Sequence, residues 1–265
     1  MTEQQIKTGC PISRFYFFEI CHIIPNVISK KQLQHIKKFA IESDWDQAFS
    51  GKSYGNRHLH RMVKISKHLA RHENAQVSLV EAGAYLHDFP LTQGKDDNHK
   101  KNKKSVEKIL ELFSLSQEER DAITECVASH EGTTNPKTLE AKVVHDADVL
   151  EKSSILGIIR HTWKMTNQNK LDPSAVKNND VNKIINHILW RRKRLQTPIA
   201  KKIATYLTMP VSKHQTKNII TIAANMAARG ITTEKIAATL YKHLNQKQNT
   251  RLREQLNLGY LKLFK

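Results

Sequence analysis

At 265 residues the chain can form one large domain, or one domain with a small appendage, and can bury a core without disulfide or metal staples. Its three cysteines, Cys10, Cys21 and Cys126, are odd in number and form no pair motif, which sets aside a disulfide framework and a thiolate zinc site and predicts a reducing, cytoplasmic setting. The net charge of +18 is unevenly spread: residues 1–150 carry 21 Lys/Arg against 20 Asp/Glu, and residues 151–265 carry 22 against 5, so the second part calls for an anionic partner such as a nucleotide, nucleic acid, acidic protein or anionic lipid surface.

Glycine and proline are scarce, at nine and seven, and amphipathic stretches outnumber alternating ones, which predicts an all-helical protein. The apolar run over residues 15–25 carries Glu19 and His22. It is too short for a membrane span and lacks the charge pattern of a signal peptide, so it reads as a buried N-terminal segment. A helix is expected near residues 31–42, then a Gly-punctuated loop at 50–56. A second helix over 57–73 has Met62, Ile65 and Leu69 as its buried stripe; Asn74-Ala-Gln ends it and a third follows over 77–87. Residues 89–100, with Pro90, Gly94, Asp96 and Asp97, read as a polar loop. Helices are expected over 101–113 and 117–129, and over 139–160 with a short break, after a loop at 131–136. An amphipathic helix over 180–194 ends in Arg191-Arg-Lys-Arg194, and another runs from Pro198 to about 207. Pro210 marks a boundary, and residues 211–265 hold two or three further helices with Gly230 between two of them.

Five segments carry metal-capable side chains: His58-Leu-His-Arg61, Leu86-His-Asp88, Asp97-Asn-His99, Ser129-His-Glu131 and His145-Asp-Ala-Asp148. Each falls at a helix end, within a helix or in an adjoining loop, and helices can bring such ligands inward from several directions. Imidazole with carboxylate suits Mn, Fe, Co, Ni or Zn, with Mg less favoured. By itself His87-Asp88 would be a helix C-terminus beside a solvated carboxylate; its ordered partners give it the metal reading.

This order resembles the HD-domain superfamily of metal-dependent phosphohydrolases, whose pattern is a His, a His-Asp doublet and a later Asp. His58, three residues before Arg61, matches the first ligand, with His60 the alternative if the register differs by two. His87-Asp88 matches the doublet, and Asp148 in Asp146-Ala-Asp-Val-Leu150 matches the later Asp, with Asp146 as alternative or support. Residues 146–160, with Leu156-Gly-Ile-Ile-Arg160, and the later Asn186-His-Ile, Leu195-Gln-Thr and Lys201-Lys-Ile-Ala204 are similar to a bacterial subgroup, some members of which hydrolyse nucleoside triphosphates. The resemblance thus covers about residues 55–205. His99 and His130 fall where two-metal members place two more histidines.

The resemblance implies an all-α HD-domain bundle over residues 51–205, flanked by an N-terminal helical segment (1–50) and a basic helical C-terminal extension (206–265). It implies one or two divalent ions (Mn, Fe, Co, Ni or Mg) on His58, His87, Asp88, His99, His130 and Asp148. The implied reaction is hydrolysis of a phosphate ester or anhydride, a nucleotide above all, by metal-activated water. His130 would act on substrate or leaving group if one metal is present, and Arg61 would orient phosphate or a ligand. The chain departs from several members in having Phe89-Pro-Leu-Thr where they carry a general-acid Glu after the doublet; Asp96, Asp97 and Glu131 are substitutes by proximity in sequence only.

Two other readings fit the same residues. Six candidate ligands permit a di-iron oxygenase of the same superfamily. The basic second half permits a nucleic-acid-binding protein with a structural metal site, although residues 211–265 offer only Tyr241, Tyr260 and Phe264 for base stacking and no helix-turn-helix or RNA-recognition signature. Lys100-Lys-Asn-Lys-Lys104, Arg191-Arg-Lys-Arg194 and Lys201-Lys202 are candidate phosphate contacts or, equally, solvated basic faces.

Overall fold

A computed structural model describes residues 28–92, 99–207, 212–244 and 250–264, with the backbone alone at His99 and Lys101. Among the described residues the chain is all helix, without strands. The helices are α1 (Lys30–Asp46), α2 (His58–His72), α3 (Val77–Leu86), α4 (Phe89–Thr92), α5 (His99–Leu110), α6 (Gln117–Ser129), α7 (Leu139–Glu151), α8 (Ile155–Asn167), α9 (Asn178–Arg192), α10 (Pro198–Tyr206), α11 (Lys213–Ala228), α12 (Thr233–His243) and α13 (Thr250–Leu256), closed by a 3-10 turn (Gly259–Phe264). One expectation is corrected: the segment after the His-Asp doublet opens with a helical turn, α4, because Phe89 is buried in the core and Thr92 Oγ1 donates to the Phe89 carbonyl. Asp96, Asp97, Pro210, Cys10 and Cys21 lie outside the described residues.

Local signals explain most boundaries. Ser116 and Glu119 form a reciprocal capping box at the start of α6, and Ser29 with Gln32 does the same for α1. Gly230 ends α11 in the left-handed region (φ +75°), where the Ile231 N–H reaches back to the Met226 carbonyl. The break between α7 and α8 falls at Lys152–Ser154, where Ser154 caps α8 by accepting from Leu156 N.

α3 is apolar on nearly every side and therefore central. It packs against α1, α2, α6 and α7, and Met62, Ile65 and Leu69 of α2 are fully buried against it and α7. The C-terminal helices α11, α12 and α13 gather on α8, whose Trp163 indole donates to the Ile231 carbonyl. Their Ile219, Ile220, Ala223 and Leu240 join the same apolar core as α2, α3, α6 and α7. No helix among the described residues is long and apolar enough to cross a membrane.

A close contact between α3 and α6 bears directly on the site. A Cβ at Gly83 of α3 would lie 2.6 Å from the Cβ of Cys126 on α6. Gly83 is one helical turn before His87, and Cys126 is one turn before His130, so this contact sets the separation of the two histidines. Gly83→Ala is expected to force the helices apart and cost about 1–3 kcal/mol, as overpacking of a filled core does. Thermal unfolding measures it, and a variant as stable as wild type would mean that α3 and α6 are free to separate.

Candidate metal centre

Four helices deliver their ends or inner faces to one buried place. α3 and α6 arrive by their C-termini, each with a histidine at the C-cap. His87 Nδ1 lies 2.8 Å from the Ala84 carbonyl and His130 Nδ1 lies 2.6 Å from the Val127 carbonyl. In both cases an Nδ1–H donated to the i−3 carbonyl fixes the tautomer and turns an unprotonated Nε2 toward the centre. α2 begins with His58, and α7 brings Asp148 on its inner face.

His58 Nε2 lies 3.2 Å from His87 Nε2, 3.4 Å from Asp88 Oδ2 and 3.6 Å from Asp148 Oδ1. His87 Nε2 is 3.4 Å from Asp88 Oδ2 and 3.8 Å from Asp148 Oδ1. On the other oxygen of Asp88, His130 Nε2 lies 3.8 Å from Oδ1 and 3.3 Å from Glu131 Oε1. Two overlapping donor groups result, His58–His87–Asp88 and Asp88–His130–Glu131, sharing Asp88. Asp148 Oδ1 is buried and accepts no hydrogen bond. A buried carboxylate oxygen left bare beside two imidazole Nε2 atoms is chemically suited to a divalent cation.

The sequence candidates separate on this geometry. His58, His87, Asp88, His130 and Asp148 converge. His99 begins α5, and its side chain lies outside the described residues. His60 stacks on Trp45 at 6.3 Å. Asp146 faces away from the cluster and holds the start of α10, accepting from Gln196 N and from Thr197 N and Oγ1. Burial raises its carboxyl to about 6, against the pull of those donors. His145 is a strut: Nδ1 lies 2.9 Å from the His130 carbonyl and Nε2 3.2 Å from that of Arg194.

Arg61 does not reach the cluster directly. Its Nε donates to Glu151 at 2.9 Å, and Glu151 in turn faces His58 Nδ1 at 3.1 Å. Sequence reasoning gave no role to Glu151, Lys152 or Arg160, and gave Arg191 only as part of a basic run. Glu151 and Lys152 follow Asp148 by three and four residues on α7, so helical spacing alone places them on its face. Arg160 reaches Asp88 Oδ2 at 2.7 Å. Arg191 crosses from α9 to Asp148 Oδ2 at 2.5 Å and Glu131 Oε2 at 2.6 Å, and Lys152 Nζ meets Asp148 Oδ2 at 2.7 Å. Only the tertiary fold makes those two contacts between α8 or α9 and the cluster.

These partners control charge. Burial pushes the Asp88 carboxyl up, but His87, His58 and Arg160 together hold it well below the usual range. Burial likewise acts on Asp148 and Glu131 and is outweighed by Lys152 and Arg191, so both stay ionised. Glu151 is kept low by His58 and Arg61 against its burial. Burial lowers Lys152, Arg160 and Arg191 less than their carboxylate neighbours raise them. Asp88, Glu131, Asp148 and Glu151 are thus paired with Arg61, Lys152, Arg160 and Arg191, with Arg61 also meeting Glu234.

A cavity of about 590 Å³ opens beside the cluster, sharing Glu131, Lys152 and Arg160 with it. Lys164, Lys170 and Lys183 add to its wall, as does a pair of stacked imidazoles, His161 and His187, with centroids 4.4 Å apart and planes 9° from parallel. Burial lowers His161 to about 3 and His187 to about 4, with neighbouring cations adding to both, so the pair is neutral near pH 7. A larger cleft, about 1030 Å³, lies between α2 and α13, but none of the cluster residues lines it, and size alone does not make it the site.

Residues 56–153 match the family model of the HD domain. No curated protein matches the chain. Among solved structures, a structural-genomics target from Lactobacillus plantarum superposes with a TM-score of 0.56 at 22% identity, covering 72% of this chain and 96% of that one. Bacillus subtilis YpgQ superposes with a TM-score of 0.50 at 20% identity, over 66% of this chain and 87% of its own. Its complex with ADP gives 0.51, at 20% identity over 66% and 86%. At these identities the likeness shows the fold.

Proposed function

We propose that this chain, whose residues 56–153 match the HD-domain model, is a metal-dependent phosphohydrolase acting on a phosphate ester or anhydride, with a nucleotide as substrate. The observation that carries this is the adjacency of the His–Asp cluster and the cation-walled cavity. His58, His87, Asp88 and Asp148 would hold one divalent ion. Such an ion supplies a Lewis acid and lowers the pKa of a bound water toward neutrality.

Because the carboxylates of the centre are already paired with Arg61, Lys152, Arg160 and Arg191, a dication adds positive charge that a phosphate would neutralise. Lys152 and Arg160, which line the cavity, would neutralise charge that develops on the phosphoryl oxygens, while Arg191 holds Asp148 and Glu131 in place from behind. His130, paired with Glu131 and fixed by the Val127 carbonyl, is placed to carry a proton to or from the reacting group. Arg61 acts through Glu151 on His58. The stacked His161–His187 pair offers a flat neutral surface for a base, and the lysines around it take the phosphates. A relative of the same fold, YpgQ, was solved with ADP, which agrees with a nucleotide ligand.

The test is hydrolysis of a nucleotide panel with Mn²⁺, Co²⁺, Ni²⁺, Fe²⁺ or Mg²⁺ added, together with metal content. Turnover that needs the metal supports the proposal; metal-loaded protein inert on every nucleotide and on simple phosphate esters counts against it. Two ions per chain would place the second on Asp88, His130 and Glu131. Iron loading with oxygen consumption would instead indicate an oxygenase.

A further inference from the structure

The His58 imidazole must keep Nε2 turned to the cluster, and that depends on what holds Nδ1. Glu151 Oε2 lies 3.1 Å away, an ion-pair contact rather than an aligned hydrogen bond, and the other oxygen of Glu151 accepts from Arg61 Nε at 2.9 Å. Arg61 is held at its far end by two acceptors, the Asn56 carbonyl at 3.2 Å and Glu234 Oε2 at 2.6 Å. Glu234 stands in the first turn of α12, beyond the residues that match the family model.

Two further features tie α12 to this spot. Thr233, beside Glu234, donates its N–H to Asn56 Oδ1 and its hydroxyl to the Asn56 carbonyl, each at 2.8 Å. Arg57, between Asn56 and His58, sits in the left-handed region with φ 51° and ψ 18°, a conformation that a non-glycine residue keeps only when its surroundings impose it. The segment from 151 onward has 22 cations and only five acids, and two of the five, Glu151 and Glu234, clamp the same arginine.

We propose that Glu234 is a positioning residue for the metal centre, acting through Arg61 and Glu151 to fix the imidazole of His58, so that the C-terminal helices are part of the site. The proposal rests on the metal-centre reading above. An ordinary surface pair would behave differently. The Glu234 side chain is 49% exposed, and such a pair contributes little stability and has no effect on a distant ligand set. Loss of an outer partner of a metal-bound histidine instead weakens metal binding by about 10- to 100-fold.

The experiment uses the full chain and Co²⁺ alone, read by calorimetry and by the ligand-field absorption of the bound ion. Glu234→Ala should bind Co²⁺ about tenfold more weakly, the low end of that range because two residues intervene, with a changed absorption band. Glu234→Gln keeps an acceptor for Arg61 and should recover most of the loss, while Lys235→Ala, its exposed neighbour, should match wild type. Wild-type affinity and spectrum in Glu234→Ala would overturn the proposal. So would a Glu234→Gln no better than Ala, which would make Glu234 a remote charge. Failure of the wild-type chain to take up Co²⁺ would overturn the metal reading itself and this proposal with it.

Discussion

Asp148→Asn is expected to lose divalent-metal binding and metal-dependent hydrolysis together, by more than the roughly 100-fold upper range for loss of an outer partner. The substitution keeps the shape but replaces a carboxylate that lies 3.6 Å from His58 Nε2 and 3.8 Å from His87 Nε2. The fold should survive, because Arg191 retains Glu131 at 2.6 Å and Lys152 retains it at 3.7 Å. Asp146→Asn is the control. It removes part of an acceptor set for Gln196 and Thr197, so it should loosen the start of α10 and lower the unfolding temperature while leaving metal affinity close to wild type. Calorimetric titration with Mn²⁺ and thermal unfolding of both variants separate the two carboxylates; metal binding lost in Asp146→Asn and kept in Asp148→Asn would reverse their roles.

Arg191→Met should give the largest loss of stability. Arg191 is 1% exposed and donates to Asp148, to Glu131 and to the backbone carbonyls of Glu131 and His130. Methionine fills much of the space but leaves two buried carboxylates sharing Lys152. Breaking a buried pair from one side costs about 3–5 kcal/mol, and at about 2–4 °C per kcal/mol for a chain near this size the unfolding temperature should drop by roughly 10 °C. Because the variant gains uncompensated negative charge at the cluster, added Mn²⁺ should raise its unfolding temperature more than that of wild type. Turnover at saturating metal should fall by about 10- to 100-fold, as when an outer partner that orients a metal-binding carboxylate is lost. Equal Mn²⁺ stabilisation in the two proteins would show that Arg191 does not compensate the site, and unchanged turnover would show that it does not orient Asp148.

Most of the helical order was legible in the sequence, because the signals are local. Ser116 with Glu119, Gly230 and the Met62–Ile65–Leu69 spacing each act within a few residues of themselves. The turn at α4 was missed because Pro90 and the polar residues after it read as a loop, whereas Phe89 is drawn into the core. The histidines of the site were recognisable because they occur with Asp88 and Asp148 in the order of the HD-domain pattern.

The cationic half of the site was not legible. Arg160 and Arg191 belong to helices that are remote in sequence from Asp88 and Asp148, and a basic run on an amphipathic helix looks the same whether its arginine faces water or a carboxylate. Between Asp146 and Asp148 the sequence favoured Asp148 through the motif alone and left Asp146 as the alternative. The two are two residues apart on one helix, which turns them to different sides, and only the position of Thr197 and of His58 says which side is which.

The sequence by itself determined the helical class, the match of residues 56–153 to the HD-domain model and the order in which imidazoles and carboxylates occur, since periodicity, caps and motif spacing are properties of the chain taken a few residues at a time. The tertiary structure alone decided how those groups are neutralised, where a cation-lined cavity opens beside them, and that Glu234 of the C-terminal helices ends a chain of contacts reaching His58. Charge compensation depends on distances between residues far apart in sequence, and packing sets those distances.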